Sequence, residues 1–355
     1  MSRADRVADR LAERELDLLL VTDLKNVRYL TGCTGSNGMA VLGRDVRRFV
    51  TDFRYVEQAA QQVPDFDREQ GPQDFVTALA DGWREGPLRL GFEDDHVTVK
   101  AHARLREVVP DRIELVRAGG LVEAERAVKE PDEVAAIRAA AALVDEVYGW
   151  LREWGIVGRT EREVGLALEH EMRRRGAEDP SFPSIVASGE RSALPHAVRT
   201  DAPIPRDTLV TLDLGARLDG YCSDCTRTWA TGELPGDLAE AYELVQRAQA
   251  AALGAVRPGP EGRELDAVAR DMIAAAGHGE HFGHGLGHGV GMEVHEAPRL
   301  SRTGTDPLVA GNVVTVEPGV YLPGRGGVRI EDLVVVTEGG RDVLSATTKD
   351  LVVVQ

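Results

Sequence analysis

Two apolar strands joined by a tight turn are predicted by the segment Val210-Thr-Leu-Asp213-Leu-Gly215-Ala-Arg-Leu-Asp-Gly220-Tyr-Cys-Ser-Asp224-Cys-Thr226. Asp213 and Asp224 are equidistant from Leu218-Asp219, the middle of that turn. A symmetric hairpin would therefore place their carboxylates directly opposite each other, with Cβ atoms about 5 Å apart. Two like charges that close are unfavourable unless they share a proton or face a cation. The segment predicts a cation site on a β-hairpin.

A second hairpin repeats this arrangement further along the chain. Glu317 lies in Val313-Val-Thr-Val-Glu317-Pro-Gly319, and Glu331 lies in Gly327-Val-Arg-Ile-Glu331-Asp332. The two glutamates are equidistant from Gly324, so this hairpin also predicts a cross-strand carboxylate pair. Charge embedded in apolar strands is costly unless a metal or a counter-charge compensates it.

Three histidines lie among closely spaced glycines between the two hairpins, in Phe282-Gly-His284-Gly-Leu-Gly-His288-Gly-Val-Gly-Met-Glu-Val-His295-Glu296. Glycines let backbone and side chains approach closely, as a metal or substrate site requires. Each histidine alone is explained equally well as a surface imidazole. Four carboxylates with one imidazole, however, form a hard, oxygen-rich set that suits a pair of divalent ions such as Mn²⁺.

Composition narrows the class of protein. The chain has 355 residues and a formal net charge of -17, which argues against nucleic acid as a partner. No apolar run approaches the roughly 20 residues that span a bilayer, and the charged first ten residues lack an apolar signal core. We therefore expect a cytoplasmic protein without a membrane partner. Cys222 and Cys225 form a CxxC within a strand predicted over residues 221–230, where thiols at this spacing point to opposite faces, so we interpret them as structural.

Patterning along the chain indicates two domains. Helical and strand-like segments alternate over the N-terminal part, with one short apolar strand at Leu18–Val21, and this alternation predicts an α/β domain at residues 1–122. Longer helices mark the second domain, residues 123–355. Pro131 suits the first turn of one helix, and Thr160 with Glu163 predicts a capping box that opens another. Here Pro131-Asp-Glu-Val134 is echoed by Pro235-Gly-Asp-Leu238, and Glu163-Val164 by Glu264-Leu265. We interpret this as an internal duplication in which each half supplies one hairpin, giving an α+β fold overall.

Five runs resemble the motifs of the pita-bread metallopeptidases, a family that includes methionine aminopeptidase, aminopeptidase P and prolidase. The runs are LDLG (212–215), DCTRT (224–228), HGLGHGVGMEVHE (284–296), VEPGVY (316–321) and RIED (329–332). Residues 26–32 and 51–55, together with His284 and Arg329, resemble the proline-directed branch. The resemblance implies a creatinase-like N-terminal α/β domain followed by a pita-bread catalytic domain with a pseudo-two-fold internal repeat.

The resemblance also implies roles for individual residues. Asp213 would bind one metal, Asp224 and Glu331 would bridge both, and His288 and Glu317 would complete the second site. Mn²⁺ is favoured, although Co²⁺ and Zn²⁺ also fit oxygen and imidazole donors. The residues implied to contact substrate or to support the ligands are His196, His284, His295, Tyr321 and Arg329.

The implied activity is hydrolysis of the bond between an N-terminal residue and a following proline. Two cations sharing a water would lower its pKa enough to supply a bridging hydroxide. Glu317 would move the proton to the leaving proline nitrogen, and His295 would stabilise the oxyanion with one metal. Family analogy further implies a homodimer in which the loop 31–38 borders the partner's active site.

Three alternatives remain at this stage. Methionine aminopeptidase uses the same five ligands but usually lacks so large an N-terminal domain. Hydrolysis of a non-peptide amide would need an identical metal centre. A peptide-binding module without catalysis is disfavoured, because such a module has no need of four clustered carboxylates. The sequence distinguishes neither dipeptidase from aminopeptidase nor one divalent metal from another.

Overall fold

The N-terminal unit, Met1–Arg126, is built on a six-stranded mixed sheet in the computed structural model of the protein, which describes residues 1–72 and 74–354. The strand order is β4-β3-β2-β1-β5-β6. The strands are β1 (Leu18–Val21), β2 (Met39–Leu42), β3 (Arg47–Thr51), β4 (Asp67–Gln70), β5 (Leu88–Phe92) and β6 (Ile113–Arg117). The helices are α1 (Arg3–Arg10), α2 (Leu24–Thr31), α3 (Val56–Gln62), α4 (Val99–Val108) and α5 (Leu121–Arg126).

The predicted α/β class of this unit is confirmed. All four residues of β1 are buried, and such a continuous apolar run is typical of a strand covered on both faces. The helix α2 was not predicted as a helix, although its residues belong to one of the quoted motifs. It begins after Asp23, whose side chain accepts a hydrogen bond from the Lys25 amide, and it ends at Gly32 in the left-handed region (φ 79°).

The second unit, Ala127–Gln355, contains four long helices within its described residues, 127–354. They are α6 (Pro131–Trp154), α7 (Glu161–Arg174), α8 (Gly236–Ala255) and α9 (Gly262–Ala275). Pro131 occupies the first turn of α6, and Thr160 with Glu163 closes a capping box on α7, as the sequence predicts. No helix within the described residues of either unit is long and apolar enough to cross a membrane.

The strands of the second unit follow each helix pair. The first set is β7 (Asp179–Pro180), β8 (Ile185–Ser188), β9 (Leu209–Leu214), β10 (Ala216–Leu218), β11 (Tyr221–Cys222) and β12 (Cys225–Ala230). The second set is β13 (Gly287–Gly289), β14 (Glu296–Leu300), β15 (Val313–Val316), β16 (Gly319–Leu322), β17 (Gly326–Arg329), β18 (Asp332–Thr337) and β19 (Gly340–Val343). The order of two helices and then a sheet therefore occurs twice, in agreement with the predicted repeat.

Each half of the second unit has its own apolar core. Val147, Leu168 and Leu212 belong to a buried cluster contributed by α6, α7 and the sheet β12-β9-β8. A second cluster forms where α8 and α9 meet the sheet β14-β13-β15-β18-β19, and it includes Val245 and Val316. The two hairpins are thus fixed from behind by helices, which leaves their polar ends to form a site.

The predicted register of the first hairpin is wrong. Asp213 pairs with Thr226, not with Asp224. The turn is Asp219-Gly220, both in the left-handed region (φ 50° and 81°), so the ladder is centred one residue later than the sequence suggested. Asp224 lies two residues before Thr226, between β11 and β12, and it is therefore a diagonal neighbour of Asp213 rather than its direct partner.

The register of the second hairpin is as predicted. Tyr321 pairs with Gly327 and Val316 pairs with Asp332, so the ladder is centred on Gly324, which has a positive φ of 72°. Glu317 and Glu331 lie at matching positions between β15 and β16 and between β17 and β18. The second half therefore delivers two carboxylates from facing strands.

Candidate metal centre

Three buried carboxylates converge at the ends of the hairpins. Asp213, Asp224 and Glu331 each offer an oxygen, and these oxygens all lie within 4.8 Å of one another. The hydroxyl of Thr226, opposite Asp213 in the ladder, donates to Glu331 Oε2 at 2.8 Å. Arg329 donates from one guanidinium nitrogen to Asp213 Oδ2 at 2.7 Å and from Nε to Thr226 Oγ1 at 3.0 Å. The cluster joins both halves of the unit.

Two oxygens of this cluster lack any hydrogen-bond partner among the described residues, although both are buried. They are Asp213 Oδ1 and Glu331 Oε1. Buried carboxylate oxygens are almost always satisfied, so two unsatisfied oxygens in one carboxylate cluster indicate a cation site. Burial, followed by repulsion from neighbouring carboxylates, raises the pKa of Asp224 and of Glu331 well above the usual range. These residues fit a divalent metal, whose charge would favour the ionised carboxylates.

His288 and Glu317 extend the cluster on one side. His288 Nε2 lies 3.2 Å from Glu317 Oε1 and 3.7 Å from Asp224 Oδ2. Its Nδ1 faces the Gly289 carbonyl at 3.1 Å, an arrangement that directs Nε2 toward the carboxylates. Burial is the largest single influence on Glu317 and raises its pKa, but the hydrogen bond and charge of His288, with the charges of His284 and Arg329, together outweigh it and lower the pKa of Glu317 to about 2. A bound metal would take the place of the proton in the hydrogen bond between His288 and Glu317.

A hydrogen-bond chain leads from the carboxylates to His284. The guanidinium of Arg329 donates to the Tyr321 hydroxyl at 3.0 Å, and that hydroxyl lies 2.8 Å from His284 Nε2. His284 Nδ1 faces the Gly285 carbonyl at 2.8 Å. Burial lowers the pKa of His284, so its neutral form is favoured, with Nε2 accepting from tyrosine. Arg329 thereby fixes Asp213 and the tyrosine at once.

The cluster opens into a cavity of about 850 Å³. His196 and His295 are exposed and contribute to its wall, as do His284 and the five carboxylate and imidazole residues of the cluster. The ring of His295 lies 4.3 Å from that of His288, centroid to centroid. Partial burial, then the nearby His288, lowers the pKa of His295 to about 4. The structure thus brings together all the predicted site residues, with Tyr321 buried behind Arg329.

Some residues of the site were not singled out from the sequence. Thr226 and Thr315 hold carboxylates, and the Thr315 hydroxyl lies 3.1 Å from Glu317 Oε1. Both occupy strand positions two residues from a predicted ligand, a spacing that places side chains on one face and could have identified them. Arg299 lines the cavity four residues after His295, and only the folded chain distinguishes it from the other arginines.

The fold and the site define a metallopeptidase, and the chain belongs to metallopeptidase family M24, whose model matches residues 135–338. Residues 3–128 match the creatinase/prolidase N-terminal domain. A protein of Bacillus subtilis described as uncharacterized peptidase YqhT is 43% identical over 352 residues, which cover 99% of each chain.

Two solved structures extend the comparison. A Xaa-Pro dipeptidase from Bacillus anthracis superposes with a TM-score of 0.96 at 39% identity, covering 99% of both chains. An X-Pro aminopeptidase from Thermotoga maritima gives a TM-score of 0.90 at 33% identity, covering 99% of this chain and 100% of the other.

Proposed function

We propose that this protein is a Xaa-Pro peptidase that hydrolyses the bond between an N-terminal residue and a following proline. The observation that carries the proposal is the cavity in which a buried carboxylate cluster with two unsatisfied oxygens meets three histidines. Both solved relatives named above act at a bond involving proline, according to their names. The same centre would serve methionine aminopeptidase or a non-peptide amide hydrolase, and the substrate panel below separates them.

Five residues would hold two divalent ions in this proposal. Asp213 would bind one ion, His288 and Glu317 the other, and Asp224 with Glu331 would bridge them. The ions, Mn²⁺ in preference to Co²⁺ or Zn²⁺, would polarise the scissile carbonyl and activate water near neutral pH. Arg329 keeps Asp213 oriented through the 2.7 Å contact, and it leaves Oδ1 of the same carboxylate available.

The chain's own groups would handle the protons. Glu317 accepts a proton from the attacking water and passes it to the proline nitrogen as the peptide bond breaks. Because that nitrogen carries no hydrogen in the peptide, the proton it receives is the one that completes the leaving amine. His295, beside His288, donates to the carbonyl oxygen as negative charge develops. His284 and His196 line the substrate side of the cavity, with Tyr321 orienting His284.

One cationic side chain on the cavity wall, that of Arg299, bears on the length of peptide that the site prefers. Arg299 lies on the cavity wall, and its side chain makes no ion pair or hydrogen bond within residues 1–72 and 74–354. A guanidinium in this position suits a carboxylate, because the two groups form charge-assisted, bidentate hydrogen bonds. The free carboxylate of proline in a dipeptide is such a group. We therefore propose that dipeptides such as Ala-Pro are preferred over longer peptides.

We also propose that the protein acts as a homodimer in the cytoplasm. Cys33, Cys222 and Cys225 are buried and form no disulfide within the described residues, which suits a reducing compartment. Sedimentation of the purified protein tests the oligomeric state directly.

The substrate panel consists of Ala-Pro, Ala-Pro-Ala and Met-Ala-Ser, offered to chelator-treated protein reloaded with Mn²⁺, Co²⁺ or Zn²⁺. Cleavage of the proline peptides with Ala-Pro preferred supports the proposal. Preference for Ala-Pro-Ala would overturn the assignment of Arg299 while retaining the Xaa-Pro specificity. Release of methionine would indicate methionine aminopeptidase, and no cleavage despite bound metal would favour a non-peptide amide.

A further inference from the structure

Glu296, the residue that follows His295 in the sequence, forms an ion pair with Lys129 that is almost completely excluded from solvent. Lys129 Nζ is 3.1 Å from Glu296 Oε2, and the two side chains are 1% and 6% exposed. Lysine and glutamate are rarely buried so deeply unless they are paired. An apolar pair of similar volume generally stabilises a fold equally well or better, so stability alone gives little reason for the charges.

The same carboxylate closes the loop that carries His295. Glu296 Oε1 accepts a hydrogen bond from the Glu293 amide at 2.9 Å, so the glutamate fixes the three residues before it. The start of the loop is fixed as well, because the Gly291 carbonyl accepts from the Cys222 amide in β11 at 2.7 Å. His295 therefore projects from a short loop that is held at both of its ends.

Gly291, in the same loop, leaves space for the Lys129 side chain. A Cβ at Gly291 would lie 2.5 Å from Glu296 Oε2 and 2.9 Å from Lys129 Cε, so only glycine leaves room for the pair. The backbone of Lys129 is itself fixed, since its amide donates to the Gly311 carbonyl at 2.8 Å. The ammonium group is thus presented to the glutamate from a rigid backbone.

We infer that Lys129 and Glu296 are positioning residues, which hold His295 at its distance from His288 and so aim its ring into the cavity. This inference rests on the proposed function, because it takes His295 as the group that meets the substrate carbonyl. Neither residue of the pair lines the cavity, and neither is a candidate metal ligand. Their influence on the reaction passes through the orientation of one imidazole.

The first test compares Lys129→Met with Lys129→Arg. The methionine variant should lose roughly ten- to a hundred-fold in kcat/KM, in the range that follows loss of a group supporting an active-site ligand, while the arginine variant should recover much of it. Binding of two Mn²⁺ per chain should be unchanged in both. Lys100→Met, at an exposed lysine of the N-terminal unit, is the matched control and should leave kcat/KM unaltered.

A double-mutant cycle distinguishes a loss of activity caused by unfolding from one caused by a misplaced His295. Lys129→Met combined with Glu296→Gln removes both buried charges, so folding should recover while kcat/KM remains low. In a His295→Ala background, Lys129→Met should cause no further loss of kcat/KM, because the pair acts through that histidine. Additive losses in this background, or loss of bound Mn²⁺, would overturn the inference.

A readout without substrate keeps the inference distinguishable from the proposed function. Side-chain ¹⁵N spectra of the histidines should show a shifted or broadened His295 signal in Lys129→Met, with the other imidazoles unchanged. An unchanged His295 signal would contradict the positioning role, whatever the substrate proves to be. Failure of the wild-type protein to cleave any proline peptide would instead contradict the proposed function and leave this spectral result standing.

Discussion

Glu317 is the residue on which the proposed chemistry depends most. Its carboxylate accepts from His288 and from the Thr315 hydroxyl, and its pKa is lowered to about 2, so it is in the ionised state that a proton acceptor requires. Glu317→Gln keeps the shape but removes the proton acceptor. We expect kcat to fall by at least about 10²-fold at saturating Mn²⁺, the usual contribution of a general base.

Metal content of Glu317→Gln must be measured beside turnover, because the same residue is a proposed ligand. The expected outcome is low turnover in the protein fraction that retains both ions, measured by elemental analysis. Wild-type turnover in that fraction would remove Glu317 from the proton-transfer step.

Arg329 is a buried positive charge beside the carboxylate cluster, and its removal should destabilise the protein most when no metal is bound. Its guanidinium contacts Asp213, Thr226 and Tyr321. Removing one partner of a buried pair costs about 3–5 kcal/mol, so chelator-treated Arg329→Met should be destabilised by that amount in urea unfolding. Mn²⁺ should restore part of the loss, since the cations supply the missing positive charge.

Arg325→Met is the comparison for this variant. Arg325 lies on the same hairpin, where it pairs with Asp237 at an exposed position, and exposed pairs contribute little to stability. Its unfolding curve should match that of the wild type. If Arg329→Met and Arg325→Met changed the free energy of unfolding equally, the buried guanidinium would contribute no more to stability than an exposed one.

At the residue scale, the convergence of the candidate ligands was predictable from the sequence, and the register of the first hairpin was not. Four carboxylates on apolar strands stand out because charge is unusual there. The motif resemblance implies that His288 accompanies them, and the structure places its ring beside Asp224 and Glu317. The direct opposition of Asp213 and Asp224 failed because the turn type depends on which two residues adopt positive φ. The sequence allows a two-residue turn at either Leu218-Asp219 or Asp219-Gly220. The second pair forms the turn because both of its residues adopt a positive φ, which glycine does readily.

At the scale of elements, β13 is the strand whose packing matters most for the centre. It carries His288, and the Gly287 Cα faces the backbone of β15, where an added Cβ would lie 2.1 Å from the Thr315 carbonyl oxygen. Gly287→Ala should therefore separate the two strands, with a loss of about 1–3 kcal/mol in the free energy of unfolding and weaker Mn²⁺ binding.

Gly283→Ala provides the control for this substitution. Gly283 belongs to the same glycine-rich run, but an added Cβ there meets nothing within 4 Å. Thermal unfolding and Mn²⁺ titration of this variant should match those of the wild type. A Gly287→Ala protein that binds Mn²⁺ normally would contradict the requirement for close strand packing.

Helix and strand positions were predicted well where the sequence contains capping residues or a continuous apolar run. Pro131 and the Thr160–Glu163 box fixed two helix starts, and Leu18–Val21 fixed a central strand. The strand predicted over residues 221–230 is interrupted at Ser223-Asp224, because the Ser223 carbonyl lies against Gly215 and the ladder breaks there. That interruption arises from a contact between strands and leaves no local pattern.

For the whole molecule, metal binding should stabilise one unit alone. All five proposed ligands belong to the unit 127–355. A ligand at 100 times its Kd stabilises the state that binds it by about 2.7 kcal/mol. Hydrogen exchange should therefore slow on Mn²⁺ addition in β9, β12, β13, β15 and β18, with no change in β1 to β6. Protection spread evenly over both units would contradict this assignment of the site.

The two-unit organisation followed from the alternation of short elements giving way to longer helices, and the α+β class followed with it. The duplication within the second unit was visible in the recurring helix starts. The cavity was not predictable in shape, because its wall combines residues from distant parts of the chain, including His196 and Arg299. Such a wall exists only after both halves have packed.

The most direct test is a titration of chelator-treated protein with Mn²⁺ while Ala-Pro cleavage is followed. We predict no turnover without metal and a rise to a plateau at two equivalents per chain, with no such rise in Glu331→Gln, which lacks a proposed bridging ligand. Turnover of Ala-Pro by metal-free protein, or a plateau reached equally by Glu331→Gln, would contradict the proposed metal centre.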